Sequence, residues 1–178
     1  MRALAVAAIT IALGAAAATA QSAQSDDVTI NKSDIPKTVA VQVGCGTTPE
    51  SIARKAFADG FIFRWPCAGN HANQIEALVY ATTINGTDAR LLQFPMPGQP
   101  SKVKPASEIA NVTWFPETRE LMSVFVDPET RICRREGRWR LDGKKLTPRL
   151  IFWRETRDCD GKRGWRTVLD QTRSLKSK

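Results

Sequence analysis

Residues 133–165 read CRREGRWRLDGKKLTPRLIFWRETRDCDGKRGW, and this stretch decides the fold. Cys133 and Cys159 stand on either side of a turn signal at Asp142-Gly143, and aromatic and basic residues alternate along both arms of the turn. A period of two is typical of β-strands, and Asp-Gly is typical of the turn between two antiparallel strands. The stretch therefore predicts strands over 138–141, 150–156 and 165–169.

The first 20 residues have the pattern of a secretory signal peptide. Arg2 gives a positive start, residues 3–18 are small and apolar, and Ala18-Thr19-Ala20 fits a cleavage site. We therefore expect a mature chain that begins at Gln21 and is periplasmic or secreted. The run is short and rich in alanine for a membrane span, and no later run is long enough, so no transmembrane segment is expected after the signal is removed.

The length of the mature chain indicates one domain. Removing 20 of the 178 residues leaves 158, a usual size for a single core. Residues 21–37 are polar and free of aromatic side chains, which predicts a flexible lead. We expect a single β-rich domain over 38–172 and a basic tail over 173–178.

All four cysteines follow the predicted signal, and an even number in an exported chain indicates disulfides. Three pairings are possible. We predict the sequential one, Cys45 with Cys67 and Cys133 with Cys159, because each pair spans a short unit whose closure contributes about 3 to 4 kcal/mol. A zinc site is the alternative, but the chain has no C-x-x-C and one histidine, so neither a metal nor a cofactor is expected.

The rest of the chain is punctuated by turn residues at short intervals. Thr48 followed by Pro49 predicts the start of one helix, which would end at Asp59-Gly60. Asn85-Gly86 predicts a hairpin turn, and residues 96–105 contain three prolines and predict a loop. The other predicted strands are 39–43, 61–65, 74–83, 90–95, 111–115 and 120–126. About nine strands and one short helix make the fold class mainly β (β-rich α+β), with antiparallel sheets built from hairpins and stapled by two disulfides.

One family has a similar arrangement of residues. The order Gly44-Cys45, Pro66-Cys67, Asn73, Cys133, Trp139-x-x-Asp142-Gly143-x-x-Leu146, Cys159-x-Gly161 and Trp165 resembles the exported Gram-negative proteins grouped as domain-of-unknown-function family 1176. The resemblance covers about residues 39–172 and implies a single-domain relative. It implies export and β-rich architecture, and it assigns no activity.

Positive charge is concentrated at the C-terminal end. Residues 131–178 contain 16 basic and 6 acidic residues, a net charge of +10. One interpretation is an aromatic core beneath a solvated arginine surface with cation-π packing. The other is a binding surface for an anionic envelope polymer or an acidic protein; export argues against nucleic acid. The candidate binding residues are Arg138, Arg140, Arg154, Arg157, Arg166, Trp139, Trp153 and Trp165.

No set of residues with the spacing of a catalytic site is present. His71 is the single histidine, and no serine or acid stands at a fixed distance from it in the sequence. Asp158 and Asp160 resemble the start of a calcium loop, but the position that needs glutamate is Leu169. We therefore predict a binding module rather than an enzyme. The alternatives are a hydrolase that uses His71 with a carboxylate, and a structural or inhibitory module that docks a protein through a β-edge.

Overall fold

The computed structural model describes residues 27–98, 103–156 and 164–172, and they form two antiparallel sheets and one short helix. Sheet 1 has the order β1-β2-β3-β4-β5, and β6 also pairs with β4. Its strands are β1 Val28–Asn31, β2 Ser51–Phe57, β3 Gly60–Pro66, β4 Ile75–Ala81, β5 Arg90–Leu91 and β6 Glu108–Ala110. The predicted signal peptide, Arg157, Cys159 and the basic tail lie outside the described residues.

Sheet 2 contains the stretch that decides the fold, and its order is β11-β10-β9-β8-β7. Its strands are β7 Val112–Phe115, β8 Glu120–Val126, β9 Arg134–Asp142, β10 Thr147–Thr156 and β11 Trp165–Asp170. The Asp142-Gly143 turn joins β9 to β10, and Gly143 has a φ of +68°, a conformation that favours glycine. The mainly β antiparallel class is thus confirmed.

The main core lies between the two sheets, where their inner faces meet. Sheet 1 contributes aromatic and aliphatic side chains, and sheet 2 contributes two tryptophans and several leucines. Its buried members are Phe57, Ile62, Leu78, Tyr80, Leu92, Phe94, Ile109, Leu121, Trp139, Leu141, Leu146 and Trp153. Each sheet has an apolar inner face, so stacking the two sheets removes both inner faces from water at once.

Sheet 1 is covered on its outer face as well. The segment between β1 and β2 packs Ile35 and Val39 against Ile52, Phe63 and other outward side chains of sheet 1. A disulfide between Cys45 and Cys67, with a Cα–Cα distance of 5.5 Å, ties the end of this segment to the end of β3. The first predicted disulfide is confirmed. It is the single disulfide among pairs with both cysteines described, because the second predicted pairing involves Cys159.

The predicted helix after Thr48 is wrong, because those residues form β2. Residues Ser51–Phe57 pair with β1 on one side and β3 on the other. Ile52 is buried in the outer cluster and Phe57 in the core between the sheets. A strand with both faces buried has no simple apolar alternation, so its apolar residues can occur at helical spacing by chance.

The predicted strand over 39–43 is also wrong. Lys37–Ala40 form α1, one helical turn, in which Val39 is fully buried while Val41 is 77% exposed. Upstream of α1, Val28–Asn31 pair with β2 and bury Ile30, so the later part of the predicted flexible lead is a strand. Eleven strands are present in the described part of the chain, against the nine predicted.

Two asparagines join the sheets where the chain passes from β6 to β7. Asn111 has a φ of +48° between these strands, and its Nδ2 donates to the carbonyl oxygens of Ala72 and Val124 at 3.1 and 2.9 Å. Asn73, which is 2% exposed, donates from Nδ2 to Val126 O at 2.6 Å and accepts from Val126 N at 2.8 Å. The Asn73 amide therefore acts as a strand partner for the end of β8.

Candidate functional site

The outer face of sheet 2 carries most of the predicted binding arginines. We call this surface the arginine face and define it as Arg138, Arg140, Arg149 and Arg154 with Phe115, Phe152 and Trp165. The register explains the grouping, because Arg149 is opposite Arg140, Phe152 is opposite Arg138, and successive outward positions of β9 are two residues apart. Arginines from β9 and β10 and aromatic side chains from β7, β10 and β11 therefore share this surface.

Acidic side chains stand between the arginines and pair with them. Glu120 accepts from Arg140 at 2.7 Å and lies 3.9 Å from Arg138 Nη1. Glu136 accepts from Arg154 Nε and Nη2 at 2.9 and 2.5 Å. Glu120 and Glu136 are themselves buried, so the arginines that pair with them also satisfy carboxylates that would otherwise be costly to bury.

A further pair joins the two strands at the turn. Arg149 donates to Asp142 at 2.5 Å, and both side chains are more than two-fifths exposed. Since exposed pairs contribute about 0 to 1 kcal/mol, this one is not a structural requirement.

Guanidinium groups also stack on the aromatic rings of the same surface. Arg138 lies 5.2 Å from the centre of the Phe115 ring, and Arg154 lies 4.4 Å from the centre of the Trp165 ring. These contacts hold the guanidinium planes in one orientation while about a third of each arginine side chain remains exposed. The cation-π packing of the first interpretation is thus present, and it fits either interpretation of the surface.

Two of the three candidate tryptophans lie away from this surface. Trp139 and Trp153 are buried in the core between the sheets, where their rings meet edge to face at 6.2 Å. Trp165 is 37% exposed at the start of the edge strand β11. Arg166 follows it and pairs with Glu155 of β10. The structure therefore separates the predicted set into a core pair and a surface group.

A cavity of about 550 Å³ opens between the sheets, and the sequence analysis did not predict it. Its wall combines apolar side chains with a few polar groups: Ala68, Ile75, Met96, Pro97, Glu108, Ile109, Ala110, Ser123, Phe125, Arg135, Gly137, Trp139, Trp153 and Glu155. Gly137 lies on the inner face, and a Cβ there would stand 2.2 Å from Trp139 Cη2. A glycine inside a strand indicates that another group approaches the backbone closely. Gly137 was therefore the signal in the sequence that could have pointed to this site.

A smaller cavity of about 260 Å³ lies next to the first and shares Phe125, Arg135 and Glu155 with it. Asp127 lines it and begins the turn after β8. The backbone N–H of Thr130 donates to Asp127 Oδ1 at 2.8 Å and is the main cause of a lowered pKa of the Asp127 carboxyl. Arg135 lowers that pKa further, although it has no ion pair with a described carboxylate.

His71 is exposed in the tight turn between Asn70 and Asn73 and lines neither of these cavities. Among the described residues no carboxylate or hydroxyl hydrogen-bonds to it. Among the described residues, one cluster has side chains that could bind a metal ion: Cys45, Cys67 and Glu108. Its two sulfur atoms are already bonded to each other in the disulfide. The described residues therefore do not bring together the groups that a histidine-dependent hydrolase needs.

No protein-family model, no curated protein and no solved structure matches this chain. The resemblance to family 1176 therefore stays a prediction. Among the described helices none is both long and apolar enough to span a membrane.

Proposed function

We propose that this protein is a binding module for an anionic, phosphate-bearing component of the cell envelope, and that the arginine face is its binding surface. The observation that supports the proposal is a difference in apolar coverage between the outer faces of the two sheets. An apolar segment covers the outer face of sheet 1, whereas no described hydrophobic cluster covers the outer face of sheet 2. This outer face of sheet 2 is the one that carries ordered guanidinium groups.

The ion pairs determine what kind of binding to expect. Within the arginine face and its paired acids, four arginines face three carboxylates, a net charge of +1. Lys144 and Lys145, exposed in the adjoining turn, raise this to +3. A charge of this size gives weak long-range attraction, so affinity must come from directed hydrogen bonds by guanidinium groups that are already oriented.

Arg138 is the best placed of these groups. Its contact with Glu120 is long, at 3.9 Å, while Arg140 already satisfies that carboxylate at 2.7 Å. About a third of the Arg138 side chain is exposed, and its guanidinium group is held over the Phe115 ring. Arg138 therefore keeps donors in a fixed orientation for a phosphate oxygen, and the predicted export of the chain makes envelope phosphates the expected source.

The experiment compares two triple variants of the mature chain, residues 21–178. One changes Arg138, Lys144 and Arg149 to glutamine and leaves Arg140 and Arg154 on the buried acids. The control makes the same loss of three charges elsewhere through Lys32→Gln, Lys37→Gln and Arg54→Gln. Circular dichroism and a thermal melt first establish that both variants keep the fold.

Binding is then measured by calorimetry with lipopolysaccharide and with enzymatically dephosphorylated lipopolysaccharide. We expect the arginine variant to bind the phosphorylated form about tenfold more weakly, which corresponds to one charge-assisted hydrogen bond, and the control to bind within about twofold of the wild type. Equal losses in both variants, or no preference of the wild type for the phosphorylated form, would overturn the proposal. Binding to acidic proteins alone would also overturn it and favour the docking alternative.

A further inference from the structure

We propose that the cavity between the two sheets is a second, independent binding site, and that it takes a small amphipathic anion: an apolar body with a single carboxylate, sulfonate or phosphate group. The site does not depend on the arginine face, because the two surfaces lie on opposite sides of sheet 2. Three observations support it: the volume of the cavity, the composition of its wall, and Arg135, the cation that the described residues place at its mouth.

The volume and the wall suit the apolar body of such a ligand. A cavity of about 550 Å³ is within the usual range for small-molecule sites, which are mostly apolar with few polar groups. Trp139, Trp153, Phe125 and Ile109 form the apolar part of the wall. These side chains come from both sheets, so a ligand between them would be enclosed on two sides.

The space persists because of residue size and fixed rings. Ala110 contributes only a methyl group to the wall, and Gly137 has no side chain, so the Trp139 ring can pack directly against it. The Trp139 ring is held across Gly137 by its Nε1–H, which donates to Pro95 O at 2.9 Å, and by edge contacts with Phe94 and Trp153. The neighbouring rings therefore cannot collapse into the cavity without breaking these contacts.

Most polar groups of the wall already have partners. Ser123 Oγ donates to Ala110 O at 2.6 Å and accepts from Ala110 N at 3.1 Å. Glu155 is paired with Arg166. Trp153 is an exception, since its buried Nε1–H has no partner among the described residues.

Arg135 is the cation that the described wall offers to a ligand. Its guanidinium lies 5.9 Å from the centre of the Phe125 ring and forms no ion pair with a described carboxylate. Asp127 interacts with it electrostatically, but the N–H groups of Thr130 and Glu129 already bind the Asp127 carboxylate. Phe125 and Arg135 thus place an aromatic surface and a cation side by side, the combination that an amphipathic anion needs.

Glu108 sets the direction in which the ligand lies. It is the exposed carboxylate that sheet 1 contributes to the wall, near the Cys45–Cys67 disulfide. Its charge repels an anionic head group. Glu155, which is opposite Arg135 on sheet 2, is neutralised by Arg166, so the head group belongs beside Arg135. Glu108→Gln is expected to strengthen anion binding slightly.

Two fluorescent probes test the site, because they share an apolar body and differ in charge. The anion is 8-anilinonaphthalene-1-sulfonate, and N-phenyl-1-naphthylamine lacks the sulfonate. We expect both to bind the wild-type mature chain. Arg135→Gln should weaken binding of the anion about tenfold and change binding of the neutral probe less than about twofold.

Two further variants separate the site from other surfaces. Ala68 is exposed at the rim of the cavity, so Ala68→Trp should fill the opening and weaken both probes without disturbing the core. Arg149→Gln removes an exposed arginine from the arginine face and should affect neither probe. A retained near-ultraviolet circular dichroism spectrum shows that a variant is folded.

Some results would overturn the site. These are no binding of either probe to the wild type, an equal effect of Arg135→Gln on both probes, or no effect of Ala68→Trp. Lipopolysaccharide binding by the Arg135 variant is measured in parallel. Loss of probe discrimination with intact lipopolysaccharide binding would support this site whether or not the arginine face is the envelope-binding surface.

Discussion

The Asn73 amide is the contact whose removal should affect the fold most selectively, and Asn73→Asp tests it with almost no change in shape. The wild-type Nδ2 donates to Val126 O at 2.6 Å and to Asn70 Oδ1 at 3.2 Å. In the variant an oxygen replaces this nitrogen and faces the same two acceptors. The Oδ1 contacts from Val126 N and Asn111 Nδ2 remain.

The expected loss has two sources. Val126 O loses its side-chain donor, whereas Asn70 Oδ1 keeps the N–H groups of Ala72 and Asn73, and the introduced buried oxygen faces both acceptors. A buried polar group left without its partner costs about 1 to 3 kcal/mol, and more when it is charged, so we expect a loss of about 3 kcal/mol at pH 7. With a urea dependence of about 2 kcal/mol per molar, the unfolding midpoint should fall by about 1.5 M. Asn85→Asp makes the same chemical change in an exposed turn and should stay within about 0.5 kcal/mol of the wild type.

The pH dependence gives a second measurement of the same contact. Facing acceptors disfavour the charged form of the introduced carboxyl, so its folded-state pKa should lie above the unfolded value of about 3.9. The protonated group donates one hydrogen bond, so its contribution is present below the unfolded pKa and is lost as the pH rises through the folded pKa. The difference from the wild type should therefore shrink as the pH is lowered from 7 toward 4. A loss below about 1 kcal/mol, or a difference that is constant with pH, would refute the reasoning.

Two further predictions concern packing and the disulfide. Gly137→Ala should lower the melting temperature by several degrees, because the added Cβ would stand 2.2 Å from the Trp139 ring. The control, Gly44→Ala, meets no atom within 4 Å and should leave the melting temperature unchanged. Equal melting temperatures of the two variants would contradict this packing. Replacing Cys45 and Cys67 together by serine should reduce the free energy of unfolding by about 3 kcal/mol, because the disulfide closes a loop with a sequence separation of 22. Urea titration with and without reductant measures the loss, and an identical response of wild type and variant to reductant would show that the disulfide does not stabilise the fold.

Local chemistry was enough to predict the hairpins. Gly86 and Gly143 have positive φ at the predicted turns, and the strands on either side pair antiparallel in the described structure. The pairing of Cys45 with Cys67 also followed from sequence distance, although the structure between them is β2 and β3 rather than a helix and a strand. Turns and short loops depend on residues that are close together in the chain, so a sequence pattern can predict them.

The predicted helix shows where such patterns fail. Ile52 and Phe57 point to opposite faces of β2, and each face is covered by a different part of the chain. The spacing of apolar residues reports which side chains are buried, and it reports a helix or a strand only when a single face is buried. Nothing in the local sequence indicated that residues 32–45 would cover the outer face of sheet 1.

The candidate sites divide in the same way. The sequence alone determined that basic and aromatic residues alternate along 133–165, and strand geometry converts that alternation into faces. Only the tertiary structure decided that Trp139 and Trp153 are core residues, that Glu120 and Glu136 compensate the arginines, and that Arg135 stands at the mouth of a cavity. The physical reason is that burial and charge pairing depend on which strand lies opposite and which sheet stacks above, and these contacts join residues that are distant in the chain.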